Sequence, residues 1–122
     1  MIIVNTSIWV EYFRGKDTPL DALIGDAPIL LHPFVRGELL LHGLPKKGAV
    51  RETMDELPPA PVGSPEEASA FIEWAKLAGT GIDYVDTHLL LSARLFDQGS
   101  LLTRDKKLLA QATRLGVAFT AA

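Results

Sequence analysis

The chain has 122 residues, 48% hydrophobic and 22% charged, a composition that predicts one globular domain over residues 1–122 and not a disordered chain. It has no cysteine, which excludes disulfide bonds and thiolate metal sites and favours a reducing compartment. Its net charge of -3 provides no overall attraction for nucleic acid, although a cation bound among clustered acids would reverse the field locally.

Short apolar runs alternate with helix-like segments along the first half of the chain. The β-branched run IIV (2–4) predicts a central parallel strand that is buried on both faces. Thr6 or Ser7 can cap the helix that follows. The next predicted elements are a short helix in TPLDALIG (18–25), a strand in PILLHP (28–33), a helix in FVRGELLLHGL (34–44) and a more polar helix in KKGAVRETMDEL (46–57).

The second half continues the alternation, and its best-marked element is the helix in SPEEASAFIEWAKLAG (64–79). Ser64 and Glu67 have the spacing of a capping box, and Pro65 suits the first helical turn. The other predicted elements are a loop with a possible edge strand in PPAPVG (58–63), a helix in GIDYVDTHLLLSARLFDQG (81–99) with Asp83 as its N-cap, a strand in SLLT (100–103), a helix in RDKKLLAQATRLG (104–116) and a last strand in VAFT (117–120).

This order of elements predicts an α/β fold with a central parallel sheet covered by helices on both faces. In such sheets a ligand binds beyond the carboxyl ends of the strands, where the strand order reverses. Asn5 ends the first strand, and Asp105 follows SLLT by two residues. Glu38 and Asp86 lie at the margins of apolar helix stripes. These four side chains are the candidate site.

Each of the four also has an ordinary structural explanation. Asp105 and Asp86 lie in first helical turns, where an acidic side chain interacts favourably with the helix macrodipole or caps the helix. Glu38 can pair with Arg36, and Asn5 can hydrogen-bond nearby backbone as a turn or cap residue. Three carboxylates that meet beside an amide at one sheet edge would nevertheless repel one another unless a cation lay among them. Oxygen ligands select a hard ion such as Mg²⁺ or Mn²⁺, which can orient water for phosphodiester hydrolysis.

Other polar side chains near the strand ends have weaker claims. Thr6 and Thr103 can cap helices, or can hold a carboxylate or a metal-bound water. His32, His42 and His88 show no metal-ligand spacing, so we assign them no chemistry. Basic residues form three groups, for which solvated surface is the ordinary explanation. The candidates for phosphate contacts with a single-stranded RNA are Arg14, Arg104, Lys106 and Lys107. The groups are Arg14 with Lys16, Lys46 with Lys47, and Arg104 with Lys106 and Lys107.

At these positions the sequence resembles the PIN-domain ribonuclease toxins of the VapC type. IIVNTSIWVEYFRG (2–15) is similar to their opening strand, Asp-Thr-Ser motif and aromatic-bearing helix. FVRGELL (34–40) resembles their second motif, with Glu38 as its acid. GIDYVDTHLLLSARLFDQGSLLTRDKKL (81–108) resembles their third and fourth motifs and contains Asp86 and Asp105.

The resemblance implies a PIN-like three-layer α/β/α sandwich with four to five parallel strands. It implies a Mg²⁺- or Mn²⁺-dependent endoribonuclease toxin of a type II toxin–antitoxin system, with Asn5, Glu38, Asp86 and Asp105 as catalytic and metal-binding positions. It also implies homodimerisation, a VapB-type antitoxin as partner, an RNA substrate, and contact with DNA only through the antitoxin. The opening MIIV has no basic region and no apolar run approaches roughly 20 residues, so we expect a cytoplasmic protein without membrane contact.

The departure from the family pattern is Asn5, which stands where these toxins have an aspartate. An amide brings no charge to a hard ion, so we expect a folded protein with impaired catalysis. Two histories fit, a substitution that silences a toxic nuclease and a natural loss of activity. The alternative function is a catalytically inactive PIN-fold module that binds RNA or antitoxin. A phosphoacceptor receiver domain is disfavoured because PILLHP and IIVNTS lack its acceptor and paired acids.

Overall fold

Three short parallel strands form the centre of the computed structural model, which describes residues 1–43 and 48–120. The strands are β1 (Ile2–Val4), β2 (Ile29–Leu30) and β3 (Ser100–Leu102), in the order β2-β1-β3. β1 is paired on both sides and all of its residues are buried, as its unbroken apolar sequence predicts. The chain crosses from one side of β1 to the other between β2 and β3, so the strand order reverses at β1.

In the described residues, six α-helices and one 3₁₀ helix surround the sheet, which confirms the predicted α/β fold with a helix-covered parallel sheet. α5 packs against β1 and β3, α4 packs against α5, and α1 packs against α2. The α-helices are α1 (Thr6–Phe13), α2 (Pro33–Leu41), α3 (Ala49–Glu56), α4 (Pro65–Trp74), α5 (Tyr84–Arg94) and α6 (Lys106–Arg114).

The sheet is smaller than the four to five strands expected from the sequence. In the described residues, PPAPVG contributes a single parallel pairing of Pro59 with Leu31, and VAFT a single pairing of Ala118 with Leu101. Proline has no N–H to donate to a strand ladder, which explains why the first of these segments does not extend into a strand.

Helix boundaries differ from the sequence expectation near the strand ends. α1 is capped by Asn5, and not by Thr6 or Ser7, because the Asn5 side chain already accepts the Ser7 N–H. PILLHP ends early as a strand because His32 caps α2 and Pro33 begins it, where its fixed φ is favourable. TPLDALIG forms only a 3₁₀ helix, Pro19–Ala22.

The capping box of α4 and the Asp83 cap of α5 are present as expected, and Asp83 and Asp86 additionally form a capping box. Ser64 and Glu67 exchange side chain to backbone hydrogen bonds at α4. The start of the predicted KKGAVRETMDEL helix, with Lys46 and Lys47, lies outside the described residues. None of the helices in residues 1–43 and 48–120 combines the length and the hydrophobicity that a membrane span requires.

α5 is the most deeply buried helix and sets the position of its own first turn. Seven consecutive residues, Thr87–Ala93, are buried between the sheet and its helical neighbours. Below it, Gly99 permits the chain to enter β3, since a Cβ there would overlap the Ala93 carbonyl oxygen. Burial of this length of apolar helix fixes Asp86, in the first turn, beside the carboxyl end of the sheet.

His32 is a buried structural histidine with one unsatisfied ring nitrogen. Its Nδ1 accepts the Phe34 N–H at 3.0 Å, which leaves the proton of the neutral ring on Nε2, a buried atom without a partner in the described residues. Burial and, to a lesser degree, the charge of His88 lower the pKa of His32 to about 4. Folding therefore favours the neutral ring. The free energy of unfolding keeps the full contribution of neutral His32 above pH 6.5 and loses it as the pH falls towards 4.

His32→Asn is expected to reduce the acid sensitivity of folding by about 2 kcal/mol between pH 7 and pH 4.5, because asparagine caps the helix without titrating. The measurement is urea unfolding of both proteins at each pH. Other titrating groups are common to both proteins, so the difference between them isolates His32. An equal loss of stability in the two proteins would contradict the assignment.

Candidate acidic cleft

The predicted site lies at the point where the strand order reverses. Asn5 follows β1 directly, and its backbone N–H donates to the Leu102 carbonyl at the end of β3 with a distance of 3.0 Å. Asp105 comes three residues after Leu102 and caps α6. The carboxyl ends of these two neighbouring strands thus bring together side chains that are 100 positions apart in the sequence.

A cleft of about 430 Å³ opens at this edge of the sheet. It contains five of the residues singled out from the sequence as ligands or their supports, and the predicted RNA contact Arg14. Thr103, Arg104, Lys106 and Lys107 do not line it. The lining residues are Asn5, Thr6, Ser7, Val10, Glu11, Arg14, Lys16, Glu38, His42, Asp83, Asp86 and Asp105.

Asn5 is buried, and its amide oxygen is already engaged. The oxygen accepts both the Ser7 N–H at 3.1 Å and the Ser7 hydroxyl at 2.5 Å. A carbonyl oxygen has two lone pairs, and these two donors use both of them. Asn5 therefore has a capping role in the structure, and its oxygen would have to leave Ser7 in order to contact a metal ion.

The acids around Asn5 show a different pattern, in which one carboxylate oxygen is held and the other is not. One oxygen of Glu38 accepts the Thr6 hydroxyl at 2.6 Å. One oxygen of Asp105 accepts the Leu108 N–H at 2.9 Å, as a helix cap. The second oxygen of each has no hydrogen-bond partner in the described residues. Both carboxylates are thus oriented by the protein and retain an oxygen for a ligand.

Asp83 and Asp86 form the same arrangement reciprocally at the start of α5. Asp83 accepts the Asp86 N–H at 2.8 Å, and Asp86 accepts the Asp83 N–H at 3.2 Å. Asp83 was expected only to cap the helix, but it also lines the cleft. Its spacing of three residues from Asp86 was the signal for this position, because a capping box directs both side chains to the same helix end.

Burial and the neighbouring acids both affect the pKa of Asp86. Together they raise this pKa from 3.8 to about 6: burial is the largest cause, the hydrogen bond from the Asp83 backbone opposes it, and the charges of Asp83 and Asp105 and a side-chain hydrogen bond with Asp83 add to it. A carboxyl whose pKa is raised within a cleft marks a candidate functional site.

Thr6 and Thr103 support the cleft in different ways. Thr6 holds Glu38, a residue 32 positions away in sequence, whereas the alternative partner Arg36 pairs with Asp55 at 2.6 Å. Thr103 is buried and its hydroxyl accepts the Asp105 N–H at 3.1 Å, which shapes the turn before α6.

Thr6→Val is expected to lower the free energy of unfolding by about 1 kcal/mol, because it removes a hydrogen bond to a charged group and changes little volume. Thr6→Ser keeps the hydroxyl and is the matched control. Urea unfolding at pH 7 measures both. If valine and serine cost the same, the hydrogen bond to Glu38 contributes nothing.

No metal site is closed in this arrangement. Among residues 1–43 and 48–120, no three histidine, aspartate or glutamate side chains stand close enough together to hold one ion. The cleft nevertheless has oxygen donors of the kind that hard ions prefer, and its volume leaves room for the waters that such ions retain. In donor chemistry the residues fit Mg²⁺ or Mn²⁺.

These features define an α/β protein with an acidic cleft at the switch point of a parallel sheet. No protein-family model matches the chain. The chain is 36% identical over 118 residues to "Ribonuclease VapC32" of Mycobacterium tuberculosis, in both the CDC 1551 / Oshkosh and the H37Rv strains. The alignment covers 97% of this chain and 95% of the relative. The chain therefore belongs to the VapC ribonuclease family.

Solved structures show the same fold at lower identity. FitAcB from Neisseria gonorrhoeae matches with a TM-score of 0.63 at 21% identity, over 97% of this chain and 95% of the other. PAE2754 from Pyrobaculum aerophilum matches with a TM-score of 0.66 at 15% identity, over 97% and 87%. FitAB bound to an IR36 DNA fragment matches with a TM-score of 0.63 at 21% identity, over 97% and 92%.

Proposed function

We propose that this protein is the endoribonuclease toxin of a type II toxin–antitoxin pair and that its cleft hydrolyses RNA phosphodiester bonds with Mg²⁺ or Mn²⁺. The observation that carries the proposal is the set of cleft carboxylates that the protein orients through one oxygen and leaves available through the other. Membership of a family named for ribonuclease activity supports it.

Glu38, Asp86 and Asp105 are the proposed ligands, directly or through the waters that such an ion retains, and Asp83 adds negative charge beside them. When bound, the ion would supply an activated water and would stabilise the charge that develops on the scissile phosphate. The protein's own contribution is positioning: Thr6 orients Glu38, and helix-capping hydrogen bonds orient the aspartates. Asn5 contributes no charge, and its single oxygen is engaged by Ser7, so we infer that catalysis is impaired in this chain.

For partners, we propose a VapB-type antitoxin, an RNA substrate and a second copy of the chain, with DNA bound only through the antitoxin. The proposal for DNA is supported by FitAB, a structure of the same fold that was solved with a bound DNA fragment. Sedimentation analysis of the purified chain alone and with its antitoxin tests both assemblies, and a monomer at micromolar concentration would count against the dimer.

The test of the function is cleavage of a mixed RNA pool by the Asn5→Asp protein with Mn²⁺ or Mg²⁺. We expect metal-dependent cutting that is abolished by Glu38→Gln in the same background, because the ion would lose a charged ligand. Failure of the Asn5→Asp protein to cut, or equal cutting after Glu38, Asp86 and Asp105 are all replaced by alanine, would refute the nuclease proposal.

A second candidate function is that of a binding module, which binds RNA or antitoxin without cleaving RNA. The engaged oxygen of Asn5 is the observation that favours it. The two candidates separate in one experiment, since a binding module would retain RNA affinity and remain inactive after Asn5→Asp.

A further inference from the structure

One face of α1 forms a wall of the cleft. Its charged side chains are not among the proposed metal ligands. Ser7, Val10, Glu11 and Arg14 recur every three or four residues on this face and all line the cleft. Lys16 continues the wall beyond the end of the helix. An acidic interior is therefore bordered by two cations and by one carboxylate, that of Glu11.

Glu11 is paired with a cation from a distant part of the chain. The Arg104 guanidinium, on the loop between β3 and α6, donates to the Glu11 carboxylate across a separation of 93 residues. Both side chains remain partly exposed, at 47% for Arg104 and 39% for Glu11. Ion pairs with this exposure contribute only about 0–1 kcal/mol, so another anion can replace either partner at little cost.

We propose that Glu11 occupies, in the RNA-free protein, the place of a substrate phosphate, and that Arg104 exchanges Glu11 for that phosphate when RNA enters. Carboxylate and phosphate oxygens offer a guanidinium the same paired acceptors. Arg104 precedes Asp105, so the exchanged phosphate lies next to the acidic cluster, with Arg14 and Lys16 along the same wall. This inference rests on the proposed function and assigns Glu11 and Arg104 a part in substrate entry.

A simpler role for the pair predicts the opposite coupling. If Arg104 only neutralises Glu11, then Glu11→Gln matters little while Arg104 is present and matters more after Arg104→Gln. If Arg104 is a phosphate ligand held by Glu11, then Glu11→Gln releases it, and the gain depends on the presence of Arg104. A double-mutant cycle measures the sign of this difference.

The experiment is fluorescence anisotropy of a labelled single-stranded RNA of mixed sequence with the full chain, Glu11→Gln, Arg104→Gln and the double variant, all without divalent metal. At about 50 mM salt we expect Glu11→Gln to tighten binding roughly fivefold with Arg104 present and less than about twofold without it. The gain should fall at high salt, because the contact is electrostatic.

Glu73→Gln, on the exposed face of α4 and outside the cleft, changes the net charge equally and is the matched control. Equal gains in the two Arg104 backgrounds, or a larger gain after Arg104→Gln, would overturn the exchange. So would an equal gain from Glu73→Gln. If none of the proteins binds RNA, the exchange also fails. Cleavage by the Asn5→Asp protein, measured separately, shows whether the proposed function fails with it.

Discussion

Asn5→Asp is expected to raise the rate of metal-dependent RNA cleavage by about 100- to 1000-fold, equivalent to roughly 3–4 kcal/mol of transition-state stabilisation. The substitution adds a negative charge and also a second oxygen. One oxygen can keep the two hydrogen bonds from Ser7 while the other faces the ion. The carboxylate at position 5 would then match the pattern of Glu38 and Asp105, each held through one oxygen only.

Two controls separate charge from capping in this comparison. Asn5→Ser retains a side chain that can cap α1 and adds no charge, so it should remain at the activity of the unsubstituted chain. Intact mass must show that Asn5 has not deamidated during purification, because the resulting aspartate would mimic the variant. Comparable activity in the serine and aspartate variants would mean that charge at this position is not what the cleft lacks.

Asn5→Asp should lower the stability of the protein when no metal is bound. An additional carboxylate at the acidic cleft increases like-charge repulsion, so we expect Asn5→Asp to be less stable than the unsubstituted chain in EDTA. Mn²⁺ should stabilise the aspartate variant more than it stabilises the asparagine chain, because binding to the folded state adds to its free energy of unfolding. Thermal unfolding with and without Mn²⁺ measures both effects independently of catalysis.

Asp86→Asn is expected to stabilise the metal-free protein by about 1–2 kcal/mol above pH 7, a value reduced from the full pKa shift because Asp86 is only partly buried. Burial, assisted by Asp83 and Asp105, raises the folded-state pKa of Asp86 to about 6 from 3.8 in the unfolded chain. Folding therefore favours the neutral carboxyl, and stability is lost as the pH rises from about 4 to 6. Asparagine stays neutral and avoids this loss.

Urea unfolding of the two proteins across this pH range provides the measurement. The advantage of asparagine should be small near pH 4, grow through pH 6 and then level off. Asn5→Asp/Asp86→Asn should also gain less stability from Mn²⁺ than Asn5→Asp does, which ties the same carboxylate to the ion. If the stability gained by Asp86→Asn does not change with pH, ionisation of Asp86 does not destabilise the folded protein.

Much of the local structure follows from neighbouring residues. The Ser64 and Glu67 capping box and the position of Asp83 as a cap depend on contacts three residues apart, and sequence spacing fixes such contacts. The buried strand β1 followed from its unbroken apolar residues. The extent of pairing did not, because the segments around Pro59 and Ala118 each pair at only one position.

The sequence by itself determined the parallel α/β fold and predicted that three acids and Asn5 meet at the strand ends, where all four line one cleft. Only the tertiary structure decided how those groups are used. Thr6 holds Glu38 across 32 residues, Arg104 pairs with Glu11 across 93, and Asp83 joins the cleft. Periodicity and capping act over a few residues, whereas the partner of a polar side chain depends on which distant segments the fold brings within about 3 Å.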